Sequence, residues 1–273
     1  MINVMKAQIY QLKKNRLLFL IFLGVNAIVF AIGAMMILPM AKTNYSGDEY
    51  VMNVQASYFV AVFWSMGAAL VQLIPAAAAG MICAGDFKDK TSNYEIMSGR
   101  LRLESYAGRV VLSLIVSMIL STLTLIITPI ILTAMVGWGD TVTIRSVVIR
   151  VLASMFPIFK MTCFCCMLSF IIKKPAIVMT ISFAGTIVAS CIINTTGSVN
   201  NSSLTIFAPY NLGNILMYHY YSTYGLNNKE MEWMIFENEL AYDLLVRSVC
   251  ISLIMGIAYI IIGYHYHHKD DLN

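Results

Sequence analysis

Charge is scarce in this chain. Of its 273 residues only 12% are charged, while 59% are hydrophobic, and the mean hydropathy is +0.75. A water-soluble domain carries about 25% charged residues. Half that level cannot cover a water-exposed surface of this size, which excludes a soluble globular domain and makes the chain an integral membrane protein. Acids are missing in particular from the interiors of the apolar runs. A proton- or sodium-coupled carrier usually needs such an acid, or a broken helix, at mid-membrane.

Other absences narrow the chemistry. There is no Gly-x-x-x-x-Gly-Lys-[Ser/Thr] phosphate loop, so the chain cannot hydrolyse ATP by the usual route. There is no His-Glu-x-x-His and no Gly-x-Ser-x-Gly, so no metalloprotease or nucleophile-elbow chemistry is expected. A non-catalytic role follows. No cleavable leader is expected either: the apolar run Leu17 to Leu38 behind Lys6, Lys13, Lys14 and Arg16 is long enough to span, and no small-residue cleavage site follows it. The cysteines Cys83, Cys163, Cys165, Cys166, Cys191 and Cys250 lie in or at the ends of apolar segments. Cys163-Thr-Cys165-Cys166 lacks the spaced second pair of a zinc site, so packing is expected rather than metal binding or a disulfide framework.

What is present is a series of six apolar blocks, near 17–38, 57–83, 107–136, 147–172, 175–195 and 244–264. Each is long enough to cross about 30 Å of hydrocarbon as a helix. The blocks are continuously apolar, without the period-two alternation of a barrel strand. The expected fold is therefore an all-α integral membrane protein, a single domain over 1–273. The long third block either tilts or is broken by Pro129 near its outer end. Lys6, Lys13, Lys14, Arg16, Lys88, Lys90, Arg100, Arg102, Arg109, Lys173, Lys174 and Lys269 fall on one side, against Lys42, Arg145, Arg150, Lys229 and Arg247 on the other. The positive-inside rule then puts both termini and the 84–106 loop in the cytoplasm.

The flanking segments have patterns of their own. In residues 1–16, Ile2, Met5, Ile9 and Leu12 recur at three- and four-residue steps among basic residues, which predicts an amphipathic helix lying in the inner headgroup layer. Lys173-Lys174-Pro175 is a tight hairpin, with Pro175 suited to a helix first turn. Trp138 reads as an interfacial anchor. The largest outer loop, 196–243, is expected to hold short helices. One is an interfacial or re-entrant stretch from Pro209 to Tyr221; another is an amphipathic helix from Asn227 to Asp243 built on Met231, Met234, Ile235, Leu240 and Leu244. The tail Tyr264-His265-Tyr266-His267-His268-Lys269 reads as an interfacial anchor rather than a metal site.

Two features carry functional readings. Lys160, three residues past Pro157, lies near the middle of the fourth block, where an ammonium costs about 2.5–3.5 kcal/mol on insertion scales. It either contacts an anionic or amphipathic substrate in a translocation path, or bonds carbonyls freed at Pro157, or snorkels to the rim. The second feature is the charged island Asp86-Phe87-Lys88-Asp89-Lys90-Thr91-Ser92-Asn93-Tyr94-Glu95-Ile96-Met97-Ser98-Gly99-Arg100. Both charge signs are present, although topology alone requires only the basic ones. Thr91 or Ser92 can cap a short helix over 91–99, with Glu95 in its first turns and Gly99 as its stop. A cytoplasmic docking element for another protein is the reading this supports.

At these residues the chain resembles the small six-span bacterial permeases of the ABC-2 type. The pattern is carried by Asp86-Phe87-Lys88-Asp89-Lys90-Thr91, then Ser98-Gly99-Arg100, then Gly108-Arg109 at the start of the third block. The N-terminal helix looks like that family's elbow helix, and the large 196–243 loop also fits. The resemblance implies a permease subunit in the bacterial plasma membrane, paired with a second permease chain, identical or related. Each rests on a separate cytoplasmic ABC ATPase that holds the ATP and magnesium. Segment 91–99 would be the coupling helix, with Asp86, Phe87, Lys88, Lys90, Thr91, Tyr94, Glu95, Gly99 and Arg100 as coupling residues. The implied activity is ATP-driven export of, or self-protection against, an amphipathic or antimicrobial peptide or other small substrate. The chain would bind no cofactor of its own and no nucleic acid. The alternatives are a gradient-driven transporter or channel and a membrane sensor or scaffold.

Overall fold

The computed structural model describes residues 2–14, 16–42, 56–85, 99, 101–185, 188, 211–218, 220–223 and 233–269. Helix α1 (Ile2–Lys14) leads into α2 (Leu17–Lys42). Helices α3 (Ala56–Val71) and α4 (Leu73–Ala79) form one run interrupted by a turn at Gln72, and the run closes in a π turn, Gly80–Ala84. Then come α5 (Arg102–Val136), α6 (Ile144–Ile172), α7 (Pro175–Gly185), the short α8 (Asn211–Leu216), strands β1 (Tyr220–Thr223) and β2 (Trp233–Phe236), and α9 (Tyr242–Lys269). Among the described residues five helices are long and apolar enough to cross a membrane: Leu17–Met35, Gly67–Ala84, Arg102–Val136, Ile144–Ile172 and Tyr242–Lys269. Of the expected span 175–195, Pro175–Gly185 is helical, and most of the remainder lies outside the described residues.

Pro129 does not break α5, which runs unbroken to Val136. At 1.5 Å per residue its 35 residues reach about 50 Å, well beyond the hydrocarbon. Its start at Arg102, earlier than the apolar block at 107, is that protruding part. Helix α6 likewise continues through Pro157, capped at its start by the Thr143 hydroxyl, which accepts from the Ser146 N–H, and closed at its end by Lys173 in the left-handed conformation (φ 58°). Lys173 and Lys174 join α6 directly to α7, with Pro175 as its first residue, as the sequence predicts.

Apolar burial and a thin thread of hydroxyls hold the bundle together. Lipid offers no hydrophobic drive between helices, so close packing and interhelical hydrogen bonds do that work. On α5 the buried polar residues Ser105, Arg109, Ser113, Ser117, Ser121, Thr124 and Thr128 recur every three or four positions along one face. Ser117 and Thr162 of α6 are 2.6 Å apart, and the Asn26 amide of α2 donates to Thr124 at 3.2 Å. Helix α9 lies along α6, where Gly256 sits directly against the Phe159 ring.

Two ends of the bundle can be told apart. One gathers Arg102, Tyr106, Phe170, Tyr264 and His267: Arg102 donates to the His268 carbonyl at 2.6 Å, and the Tyr106 ring lies 4.7 Å from Phe170. The other is the strand-bearing end. There the α3 N-terminus is capped by loop carbonyls, Ala56 N–H to Gly137 at 3.1 Å and Ser57 N–H to Trp138 at 2.8 Å.

Three local expectations are corrected. Where an amphipathic helix from Asn227 to Asp243 is expected, Trp233–Phe236 is a strand, paired antiparallel with Tyr220–Thr223 in the register Tyr220 opposite Phe236. The apolar residues of the stretch from Pro209 to Tyr221 face the protein and not outward in its described part: Leu212, Ile215, Leu216 and Tyr218 are buried in the core. Helix α8 is therefore the short helix of that loop among the described residues. On α1 the buried stripe is Val4 and Gln8, with Leu12 packed on the core, while Ile9 is half-exposed.

Candidate functional site

The charged island leaves and rejoins the bundle at one end. Of its proposed coupling residues, Asp86, Phe87, Lys88, Lys90, Thr91, Tyr94, Glu95 and Arg100 lie outside the described residues. Gly99 is exposed and left-handed, φ 86°, a conformation suited to the helix stop expected there. Both brackets of the island are well placed. On the near side the π turn packs against α6 and α7: the Ser169 hydroxyl lies 3.2 Å from the Ala79 carbonyl, and Gly80 abuts the Pro175 carbonyl. On the far side Leu101 is extended and opens α5. Arg102 then ties that opening to the end of α9 through the His268 carbonyl. The π turn before the island thus lies beside the Lys173–Pro175 turn, and Arg102 after it lies beside the last turn of α9.

Lys160 is buried in α6, 2% exposed, and engaged within the bundle. A snorkelling amine would emerge at the rim, so that reading is overturned. The path and proline-carbonyl readings both remain compatible with its position, one turn beyond the buried Pro157.

The most elaborated polar site is one that sequence reasoning counts only as a charge on the outer side. Arg150, one and a half turns into α6, is 2% exposed. Its Nη1 donates to the Ile215 and Met217 carbonyls, both at 2.8 Å, and its Nη2 reaches the Glu239 and Glu237 carbonyls at 3.4 and 3.5 Å. The guanidinium carbon stands 3.9 Å from the centre of the Tyr218 ring. A planar fork with five donors is suited to this task, and a point charge is not. One turn earlier the Ser146 hydroxyl meets the Asn238 carbonyl and the Tyr218 hydroxyl, the latter at 3.3 Å. Asn238 in turn accepts the Thr143 N–H at 2.8 Å. Burial pushes the Tyr218 phenol above its ordinary range, with the Ser146 bond and Arg150 opposing the shift only in part. The phenol stays neutral.

The result is a clamp. One side chain pins α8, the segment after it and the chain following β2 to the strand-bearing end of α6. The signal in the sequence is the four-residue repeat Ser146, Arg150, Ser154, which continues the inward face of α6 and not its exposed one.

Among the described residues no three His, Cys, Asp or Glu side chains gather to hold a metal ion. His267 is not an interfacial anchor but is buried, 5.2 Å from the Phe170 ring and 5.8 Å from that of Tyr106. Cys83, Cys163, Cys165 and Cys166 are buried free thiols.

Comparison with known protein families and with curated proteins gives no match for this chain. The functional reading therefore rests on the residues and their arrangement.

Proposed function

We propose that the chain is the permease subunit of an ATP-driven exporter of the ABC-2 type. The observation that carries this is the placement of the charged island. Its described flanks are Gly85, at the end of the α3–α4 run, and Leu101, at the start of α5, both at the same end of the bundle as the basic Lys173–Lys174 turn and the end of α9. A docking element there touches three helices through its roots. Force applied to it acts on the α3–α4 run, on α5 and, through Arg102, on α9.

Under this reading the end with Arg102, Lys173, Lys174 and Lys269 faces the cytoplasm, and α1 is the elbow helix. A separate ATPase binds the 91–99 segment, and two permease chains form the working unit. The clamp around Arg150 closes the opposite, external end, so substrate leaves past α8 and the strands. Lys160 lies between the two ends on α6, where a cation suits an anionic or amphipathic substrate. The ATP and magnesium belong to the ATPase.

The test is reconstitution of the full chain in liposomes with and without an ATPase that co-purifies with it. Substrate movement that needs the ATPase and ATP supports the reading. Movement by the chain alone down an ion gradient would establish a secondary transporter instead.

A further inference from the structure

The π turn Gly80–Ala84 is the last described structure before the charged island. The Gly85 N–H donates to the Gly80 carbonyl, five residues back, so this turn holds one residue more than an α turn. Such turns are local surpluses within helices and recur at functional positions.

Neutral contacts from three helices surround it. The Ser169 hydroxyl of α6 lies 3.2 Å from the Ala79 carbonyl and 2.8 Å from the Cys165 carbonyl of its own helix, so its one proton has two acceptors. The Cys83 sulfur faces the Ser113 hydroxyl of α5 at 3.4 Å and the Cys166 sulfur of α6 at 3.8 Å. A Cβ on Gly80 would meet the Met179 Cγ of α7 at 3.2 Å and the Pro175 carbonyl oxygen at 3.3 Å. These contacts set a register without an ion pair or a covalent bond to lock it. The Ser169 proton already has a second place to go.

We propose that this turn is a register switch. It exchanges between the present π geometry, held by the Ser169–Ala79 contact, and an α geometry in which the surplus residue is shed toward the island. The exchange turns the chain entering the island by about 100° and shifts it by about 1.5 Å. In the α register the place beside Cys166 passes from Cys83 to Ile82. As a coupling device the switch rests on the docking reading of the island, since a pull there is what would drive it. The exchange itself can be measured without any ATPase.

Two disulfide reporters read the register in membranes that contain the full chain. The first is the native pair Cys83 and Cys166. The second is I82C with C83A, paired with Cys166. Diamide takes up the two thiol hydrogens as each disulfide forms, and the linked peptides are quantified by mass spectrometry. The native pair is expected to link faster in the parent chain. S169A should raise the ratio of the second link to the first by roughly three- to tenfold, the population change that loss of one hydrogen bond produces, and S169T should restore it. An unchanged ratio overturns the switch. So does a fall in the first link with no rise in the second, which signals lost packing only. If S169A does not insert, G80A, which crowds Pro175 and Met179, is read by the same ratio and the same criteria. Failure of the docking reading appears separately, as absence of any co-purifying ATPase, and leaves the ratio intact.

Discussion

Arg150 shows how one side chain can organise an end of a membrane bundle. Its Nη1 donates to two carbonyls at 2.8 Å from a position 2% exposed, and its face covers Tyr218. Arg150→Met removes the donors and leaves buried carbonyls short of partners, which should cost roughly 3 kcal/mol. Arg150→Lys should recover less than half of that, because an ammonium has neither the fork nor the stacking face. Thermal unfolding in detergent checks both; equal stability of Lys and Arg at this position would mean that charge alone matters. Lys160 is a different case. Lys160→Met should lower transport severalfold if the amine meets substrate. Normal transport with lowered stability would assign Lys160 to the carbonyls near Pro157, whose donor the substitution removes.

The helices show which parts of the fold were readable. Continuous apolar runs announce spans, and α2, α5, α6 and α9 appear where such runs lie. Their ends were less readable because helix geometry does not stop where hydrocarbon does, as the start of α5 at Arg102 shows. The strand Trp233–Phe236 was misread because Met231, Met234, Ile235 and Leu240 satisfy a helical step. What makes it a strand is its pairing with Tyr220–Thr223, a partner that no local window contains, although the Tyr, Thr, Trp and Phe content of the two segments favours strands. The role of Arg150 was not readable for a related reason: the positive-inside rule counts charges by side and ignores the face they lie on. Among the interhelical contacts, α6 against α9 is the easiest to break. Gly256→Ala drives a methyl into the Phe159 ring, an overpacking worth roughly 1–3 kcal/mol. Combining it with Phe159→Leu should return part of that loss in the same unfolding measurement. Additive losses would place the strain elsewhere.

At the scale of the whole molecule, the bundle has a buttressed end and an end that carries the charged island. The first is clamped through Arg150, Ser146 and Asn238; at the second, the π turn and Arg102 flank the island. Under the proposed function, that asymmetry is what a machine driven from one side needs, with the clamped end opposite the end that is driven. Of the proposed coupling residues, all but Gly99 (Asp86, Phe87, Lys88, Lys90, Thr91, Tyr94, Glu95 and Arg100) lie outside the described residues, so their charge pattern in the sequence remains the guide to them. Reversing that pattern with Glu95→Lys and Arg100→Glu should leave membrane insertion intact while abolishing ATPase association.

That variant supplies the most direct measurement: ATP hydrolysis by material purified through the full chain from its native membranes, parent against reversed island, with the ATPase polypeptide identified in the same eluate. The account predicts ATP hydrolysis in the parent eluate from a separate phosphate-loop subunit, lost by at least about tenfold, or roughly 1.4 kcal/mol of association free energy, in the variant. Equal hydrolysis from both eluates, or none from either while the purified chain alone moves substrate, would contradict it.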